Sequence, residues 1–331
     1  MINKEITTPV LFLVFNRPEK TQRVFSVIKQ ARPTKLYIAA DGARPNVISD
    51  IENCERVKDI VQKIDWECNV KFLFHKENLG CSLAGKTAWD WIFSQEEEMI
   101  FIEDDGLLSI SFFSFAQELL EKYRNNTQIA YISSENFGLK YGLPSSYFFS
   151  RFGGGTYSMA TWKRVYELYE YKLESFHQFK NDSTYKKSFI NKFNYDQTNL
   201  KFEAYIKNGG NTYDLQIVYL LHKYSMLNVI PNLNMCSNIG FDNDGSNTNV
   251  NSDSPVALKF GNRPRFELSE ITHPDKVEAN IKIEKKNFKV RVLFGESWII
   301  SILRFYFQPY LSPIYKILKK TFLFLKFKKY A

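Results

Sequence analysis

The sequence lacks the features of several common classes of protein. Its 331 residues contain only four cysteines, Cys54, Cys68, Cys81 and Cys236, and none of them forms a C-x-x-C pair. We interpret them as free thiols of a reducing compartment, and their scattered spacing argues against a zinc site. No apolar segment precedes Pro9, so the sequence indicates no signal peptide.

Glycine-rich motifs for nucleotide binding are also absent. No G-x-G-x-x-G follows the first apolar run, and no G-x-x-x-x-G-K-S/T occurs in the chain. These absences argue against a dinucleotide-dependent dehydrogenase and against a P-loop NTPase. The turn after the first run also lacks the glycine-rich, arginine-bearing loop of sugar nucleotidyltransferases. No uncharged apolar run reaches about 18 residues, so a membrane-spanning helix is not expected.

The composition is that of a globular protein with an uneven charge. Hydrophobic residues make up 44% and charged residues 24% of the chain, which argues against global disorder. The length suits one large domain with an appendage, or two domains. The net charge is +8, but residues 291–331 alone carry eight basic residues and one acidic residue. The rest is nearly neutral, so we expect no nucleic-acid partner.

Apolar runs alternate with helical patterns in the first third of the chain. Four runs are typical of buried strands, at residues 9–15, 35–40, 70–74 and 99–103. Amphipathic or polar stretches of helical length separate them, and Pro18 suits the start of the first helix. This alternation predicts an α/β fold with a parallel, doubly wound sheet.

Three consecutive carboxylates close the fourth strand. Glu103, Asp104 and Asp105 are followed by Gly106. Adjacent acids repel one another and resist burial unless a cation neutralises them. A hard divalent ion, Mn²⁺ or Mg²⁺, bridging a diphosphate would do so. The residues alone leave a second interpretation open, in which Asp104 or Asp105 caps a helix predicted over residues 109–122.

Polar residues follow each of the four predicted strands. Because parallel strands present their carboxyl ends at one edge of a sheet, we expect these residues to converge there. Besides the three acids, they are Asn16, Arg17, Asp41, His75 and Asn78. His75 could instead satisfy only a local hydrogen bond.

The order and spacing of these motifs resemble a known family. The chain reads PVLFLVFNRP, IAADGARPN, KENLG and FIEDDG in that order, and continues through residues 157–164, 213–216 and 231–241. Over roughly residues 8–250 it resembles GT-A glycosyltransferases of bacterial surface-polysaccharide synthesis, which are family-two-like. It is more distantly similar to the N-acetylglucosaminyltransferase that initiates complex N-glycans.

The resemblance implies a fold and an activity. Residues 1–255 would form the GT-A domain, with a Rossmann-like, mostly parallel central sheet. Residues 256–290 would be a linker or extension, and residues 291–331 a basic amphipathic tail. The expected activity is metal-dependent transfer of a sugar from a UDP-sugar to a hydroxyl of a glycan or glycolipid acceptor, with inversion at the anomeric carbon.

The resemblance also suggests roles for individual residues. The acid cluster would be the equivalent of the family's D-x-D motif, with Asp105 as the ligand of Mn²⁺ or Mg²⁺. Asp214 lies where these enzymes place the acid that activates the acceptor, although it could equally cap the helix predicted over residues 215–224. The expected donor-binding residues are Phe15, Asn16, Arg17, Asp41, His75, Asn78, Gly80, Glu103 and Asp104.

Two motifs depart from the family pattern. Tyr157-Ser158-Met159 stands where relatives have tryptophan-glycine-tryptophan, and Ser246-Asn247-Thr248 where they have threonine-histidine-threonine. Asn247 is a poor substitute for an imidazole metal ligand. An alternative therefore stays open, in which the chain is a catalytically inactive GT-A-like binding subunit of a polysaccharide assembly complex. A nucleotidyltransferase is a third option.

The tail has a pattern of its own. Apolar residues recur at helical spacing over residues 314–325, and the lysines fall largely off that stripe. A basic amphipathic helix of this kind predicts attachment to an anionic membrane surface. We therefore expect a cytoplasmic protein bound peripherally to the inner face of the plasma membrane, where a lipid-linked acceptor would lie. The alternative is a helix packed on the main domain with its lysines in solvent.

Overall fold

A computed structural model describes residues 5–241, 255–292, 301–303 and 305–306 of the chain. Within these residues the fold is a mixed α/β structure with a large central sheet, which confirms the predicted fold class at that level. The strands are β1 (Val10–Val14), β2 (Lys35–Ala40), β3 (Asn69–Phe74), β4 (Glu98–Glu103), β5 (Gly106–Leu108), β6 (Ile129–Ser133), β7 (Tyr147–Ser150), β8 (Ser158–Trp162), β9 (Leu227–Pro231) and β10 (Cys236–Asn238).

The helices alternate with the strands in the first third and cluster later in the chain. They are α1 (Pro18–Ala31), α2 (Ile48–Val61), α3 (Gly80–Phe93), α4 (Ser111–Lys122), α5 (Lys163–Tyr166), α6 (Phe176–Phe179), α7 (Ser183–Lys187), α8 (Lys192–Asn208), α9 (Asp214–Lys223), α10 (Pro255–Phe260) and α11 (Ile281–Val292).

The central sheet has eight strands among the described residues, in the order β3-β2-β1-β4-β8-β6-β9-β7. The first four strands are mutually parallel, as the sequence predicts. Beyond β4 the sheet is mixed, because β8 runs antiparallel to both of its neighbours, β4 and β6. Strand β9 is parallel to β6, and β7 is antiparallel to β9 at the far edge.

Burial explains why the apolar runs form central strands. Every residue of β1 is buried, because helices cover both faces of a parallel sheet. Large side chains such as Phe12 and Phe101 are completely buried in the main core. Burying a side chain of this size stabilises the fold by about 1.5–3 kcal/mol.

The segment after α10 is tied to the main body. The carboxylate of Glu267 accepts hydrogen bonds from the backbone N–H groups of Ile110 (3.0 Å) and Ser111 (2.8 Å), where α4 begins. Glu267 therefore satisfies two amides at the start of this helix, which have no partner within it. The alternative interpretation of Asp104 and Asp105 as its cap is wrong, because a distant carboxylate takes that position.

Some sequence-based expectations fall on residues that the structure does not describe. The amphipathic pattern of residues 314–325 and the position of Asn247 lie outside the described ranges. Within those ranges, no helix combines the length and the apolar character needed to cross a bilayer.

Candidate active site

A cavity of about 560 Å³ opens at the carboxyl ends of β1, β2 and β4. This is the edge of the sheet at which the sequence predicts that the polar residues converge. Most of the predicted site residues line this cavity. They are Phe15, Arg17, Asp41, Asn78, Gly80, Glu103, Asp104, Asp105 and Asp214.

Two predicted donor-binding residues do not line the cavity. Asn16 donates a hydrogen bond to Asp50 Oδ1 at 2.7 Å. His75 Nε2 lies 3.3 Å from Thr87 Oγ1, which is a local hydrogen bond of the kind that the sequence left open. Their contact with a nucleotide stays a prediction.

The guanidinium of Arg17 bridges two of the three acids. Its Nη1 lies 2.9 Å from Asp105 Oδ2, its Nε lies 3.2 Å from Asp104 Oδ2, and its Nη2 donates to Asp104 Oδ1. Side-chain exposure is 13% for Arg17 and 3% for Asp104. Burial raises the pKa of Asp104, and the charge of Arg17 opposes that shift. Arg17 therefore supplies the positive charge that keeps two buried carboxylates together.

Glu103 faces a different partner. The Tyr213 hydroxyl donates a hydrogen bond to Glu103 Oε1. Burial, and next the charge of Asp105, raise the pKa of Glu103 well above its ordinary value. Glu103 therefore resists ionisation in this arrangement.

The carboxylates of Asp105 and Glu103 suit a divalent cation that would also be bound by a ligand. Asp105 Oδ1 is buried and makes no hydrogen bond in the described part of the chain. No group of three or more His, Cys, Asp or Glu side chains in that part forms a complete protein site for a metal. Mg²⁺-type sites commonly use one or two carboxylates and complete their coordination with waters and substrate phosphates. Asp105, with Glu103 beside it, matches that arrangement.

Asp41 organises the floor of the cavity. Its Oδ1 accepts from the N–H groups of Gly42 (2.9 Å) and Leu79 (2.8 Å), and its Oδ2 accepts from Gly80 N (3.0 Å) and Asn78 Nδ2 (2.9 Å). Gly80 has a φ of +75°, a conformation that favours glycine. Four donors within the chain thus hold both oxygens of Asp41, and contact of Asp41 with a nucleotide stays a prediction.

Asp214 is the first residue of α9 and lines the cavity. Its side chain is exposed and accepts a hydrogen bond from the Thr212 hydroxyl. No side-chain hydrogen bond caps the start of α9. The structure therefore leaves a solvent-accessible carboxylate in the same cavity as the acid cluster, rather than the capping residue of the alternative interpretation.

Several cavity residues were missed by the sequence reasoning. Arg44 lines the cavity, pairs with Asp50 (Nε to Oδ2, 2.6 Å) and places its guanidinium 5.7 Å from the centre of the Phe15 ring. Its position in the loop that follows β2 could have revealed it. Asn211 and Tyr213 also line the cavity, and Asn211 shows no local sequence signal because its contacts are with a distant helix.

The chain was compared with known proteins. No family model and no curated protein sequence matches it. One similar solved structure is S. aureus TarS 1-349, with 9% identity and a TM-score of 0.32 over 50% of this chain and 51% of that chain. A second is a UDP-glucose pyrophosphorylase complexed with UDP-glucose, with 10% identity and a TM-score of 0.34 over 68% of this chain and 90% of that chain. A third is mouse xyloside xylosyltransferase 1 in its apo form, with 11% identity and a TM-score of 0.32 over 66% of this chain and 82% of that chain. The chain spans about half the length of the TarS structure. Similarity at this level assigns no family to the chain.

Proposed function

We propose that the protein is a GT-A glycosyltransferase that transfers a sugar from a UDP-sugar to a hydroxyl of a glycan or glycolipid acceptor. One observation carries the proposal. A single cavity at the carboxyl edge of the sheet combines the acid cluster, its counterion Arg17 and the exposed carboxylate of Asp214. Open α/β sheets bind their ligands at this edge.

The donor would occupy the cavity from the Phe15 side to the acid cluster. Phe15 and Arg44 offer an aromatic face and a cation for the nucleotide, and Arg17 offers donors for the diphosphate. Asp105, with Glu103 nearby, would hold Mn²⁺ or Mg²⁺. Such an ion neutralises the charge that develops on a departing diphosphate.

Asp214 would act as the general base. Its carboxylate takes the proton from the acceptor hydroxyl as the oxygen attacks the anomeric carbon, and the bond from that carbon to the UDP oxygen breaks. General bases of this kind contribute typically ~10²–10⁴-fold to the rate. A base on the face opposite the leaving group gives inversion.

We further propose that the acceptor is lipid-linked and that the protein works at the cytoplasmic face of an anionic membrane. The charge of residues 291–331 supports this, as eight of these residues are basic and one is acidic. The exposed face of α11 adds to that charge, because it carries Lys282, Lys285, Lys286 and Lys289.

Calorimetry with UDP and Mn²⁺, followed by a panel of UDP-sugars with and without EDTA, tests the proposal. We expect UDP to bind in the presence of Mn²⁺, and sugar transfer or hydrolysis to fall on chelation and in Asp105→Ala. Activity indifferent to both changes would remove the metal from the proposal. Absence of UDP binding would contradict it and favour an inactive binding subunit. Release of pyrophosphate from a nucleoside triphosphate and a sugar phosphate would identify a nucleotidyltransferase instead.

A further inference from the structure

We infer that Arg17 couples the binding of the divalent cation to the binding of the nucleoside diphosphate. In the structure Arg17 is the counterion of Asp104 and Asp105, and with both ligands bound it would become a ligand of the diphosphate. This inference rests on the proposed function, because it assumes that both ligands enter this cavity.

The geometry makes Arg17 a competitor of the cation. A metal ion that binds Asp105 has to share a carboxylate whose Oδ2 already accepts from Arg17 Nη1 at 2.9 Å. The oxygen of Asp105 that makes no hydrogen bond is the buried Oδ1, and an ion bound to it would lie close to the positive guanidinium. Like charges at such short distance repel strongly in a site of low dielectric. The cation alone should therefore bind weakly.

The same pairing disfavours the diphosphate alone. Asp104 and Asp105 both pair with Arg17, so two carboxylates face one guanidinium. A diphosphate that approaches Arg17 meets this excess of carboxylates. Without an added cation, its attraction to one arginine is offset by repulsion from the acids.

Binding both ligands together removes both penalties. When the cation takes Asp105, the Nη1 group of Arg17 becomes free to donate to a phosphate oxygen, a strong charge-assisted interaction. Arg17 keeps its two hydrogen bonds to Asp104, from Nε and Nη2. It can therefore change one partner without leaving the site.

Asp105 itself has little freedom to move away from Arg17. Gly240 packs so closely against Asp105 that a Cβ atom at that position would overlap Oδ2. The backbone N–H of Ile239 also donates to the Asp105 carbonyl at 2.9 Å. The carboxylate is thus held in place, and the arginine is the group that has to shift.

The test measures Mn²⁺ binding by calorimetry, with and without UDP, in the wild type and in Arg17→Gln. In the wild type we expect UDP to tighten Mn²⁺ binding by about tenfold, within the range usual for coupled sites. In Arg17→Gln, Mn²⁺ alone should bind more tightly than in the wild type, UDP should bind more weakly, and the coupling should fall towards onefold.

Arg44→Gln is the matched control. It removes one positive charge from the same cavity, but Arg44 pairs with Asp50 and not with the acid cluster. We expect its coupling to equal that of the wild type, even where UDP binds more weakly. Loss of coupling in both variants would mean that any cavity cation has this effect, and would overturn the specific role of Arg17.

Arg17→Lys serves if the glutamine variant does not fold. A single ammonium keeps the charge but cannot span both carboxylates, so the coupling should fall below the wild-type value. Unchanged coupling in either Arg17 variant, or Mn²⁺ binding that is not tightened in Arg17→Gln, overturns the inference. A wild type that binds both ligands without coupling also overturns it and leaves the proposed function intact. A wild type that binds neither ligand contradicts the proposed function itself.

Discussion

The backbone N–H of Ser82, in the first turn of α3, donates to Oδ1 of Asn211 at 3.1 Å, and the Ser82 hydroxyl donates to the Thr212 carbonyl at 2.8 Å. These bonds join segments that are 129 and 130 residues apart in the sequence. They fix the loop that presents Asp214 against the helix that forms the cavity floor. The proposed base is therefore positioned by α3 as well as by its own helix.

Ser82→Ala tests this connection. The variant loses the hydrogen bond from the hydroxyl to the Thr212 carbonyl and its 3.1 Å contact with the Tyr171 hydroxyl, so we expect a loss of about 1 kcal/mol in the free energy of unfolding. The loosened loop should lower kcat by up to ~10²-fold, with little change in UDP affinity. Ser94→Ala is the control, because Ser94 makes a similar bond (2.7 Å to the Trp91 carbonyl) at the other end of α3. Equal kcat values in the two variants would contradict the positioning role.

Asp214→Asn separates catalysis from binding. Asparagine keeps the shape but cannot accept the acceptor's proton, so kcat should fall by ~10²–10⁴-fold. UDP affinity measured by calorimetry should change little, since the proposed nucleotide contacts lie elsewhere in the cavity. Asp59→Asn, on the exposed face of α2, should leave both quantities unchanged. A wild-type rate in Asp214→Asn would exclude this residue as the base.

Asp41→Asn distinguishes a structural from a nucleotide-binding role. The new amide would face backbone donors that now point at a carboxylate oxygen. Unpaired buried donors cost about 1–3 kcal/mol, so we expect a lower unfolding midpoint even without ligand. Thermal unfolding with and without UDP measures both effects. Unchanged stability together with weaker UDP binding would instead support a direct nucleotide contact.

His222 predicts a pH dependence of stability. It is buried, its Nδ1 lies 2.8 Å from Ser188 Oγ, and its ring stacks on Phe189. Burial, and next the charge of Arg151, lower the pKa of His222 to about 3. The unfolded histidine titrates near pH 6.5 and binds the proton more tightly than the folded one, so acidification favours unfolding. The stability from neutral His222 is present above about pH 6.5 and is lost as the pH falls towards 3.

Denaturant unfolding at several pH values checks this expectation. Between pH 6.5 and 4.5 the free energy of unfolding of His222→Gln should fall less steeply with decreasing pH than that of the wild type. The two slopes should differ by about 1 kcal/mol per pH unit. The slopes are compared because glutamine also loses the ring stacking. Exposed His177 provides the control, and His177→Gln should keep the wild-type slope. Equal slopes in all three proteins would show that His222 does not stay neutral in the fold.

The lysines of α11 test the membrane proposal. Replacement of Lys282, Lys285 and Lys289 by glutamine should weaken sedimentation of the full chain with phosphatidylglycerol-containing vesicles, because each surface lysine contributes roughly 1 kcal/mol near an anionic bilayer. Vesicles of phosphatidylcholine alone should bind neither protein. The control replaces three exposed lysines elsewhere, at positions 63, 172 and 207, with the same change in net charge. If both triple variants bind alike, only net charge matters and α11 is not the docking surface.

The sequence predicted the parallel part of the sheet well, because its strands are apolar runs separated by helices. It also predicted most of the cavity, since polar residues after parallel strands must meet at one edge. It could not predict that β8 would insert antiparallel between β4 and β6. Strand direction there is set by long-range packing, and the local pattern of β8 is compatible with either direction.

Contacts between distant segments were equally invisible to the sequence. The pairing of Arg17 with Asp104 spans 87 positions, and the resemblance gave Arg17 only as a donor-binding residue, without a carboxylate partner. The hydrogen bond from the Tyr213 hydroxyl to Glu103 joins residues that are 110 positions apart. Such pairs depend on how whole elements pack, so only the edge of the sheet, and not the pairing within it, follows from local pattern.

The hydrogen bonds from the first amides of α4 to the Glu267 carboxylate limit where the chain can be cut into fragments. A fragment that stopped at residue 255 would strip this helix of its acceptor and also lose the hydrogen bond between Ser146 N and the Thr272 carbonyl (2.9 Å). We therefore expect the folding unit to extend at least through Thr272. Shorter expression fragments should fold poorly even though they contain every proposed catalytic group.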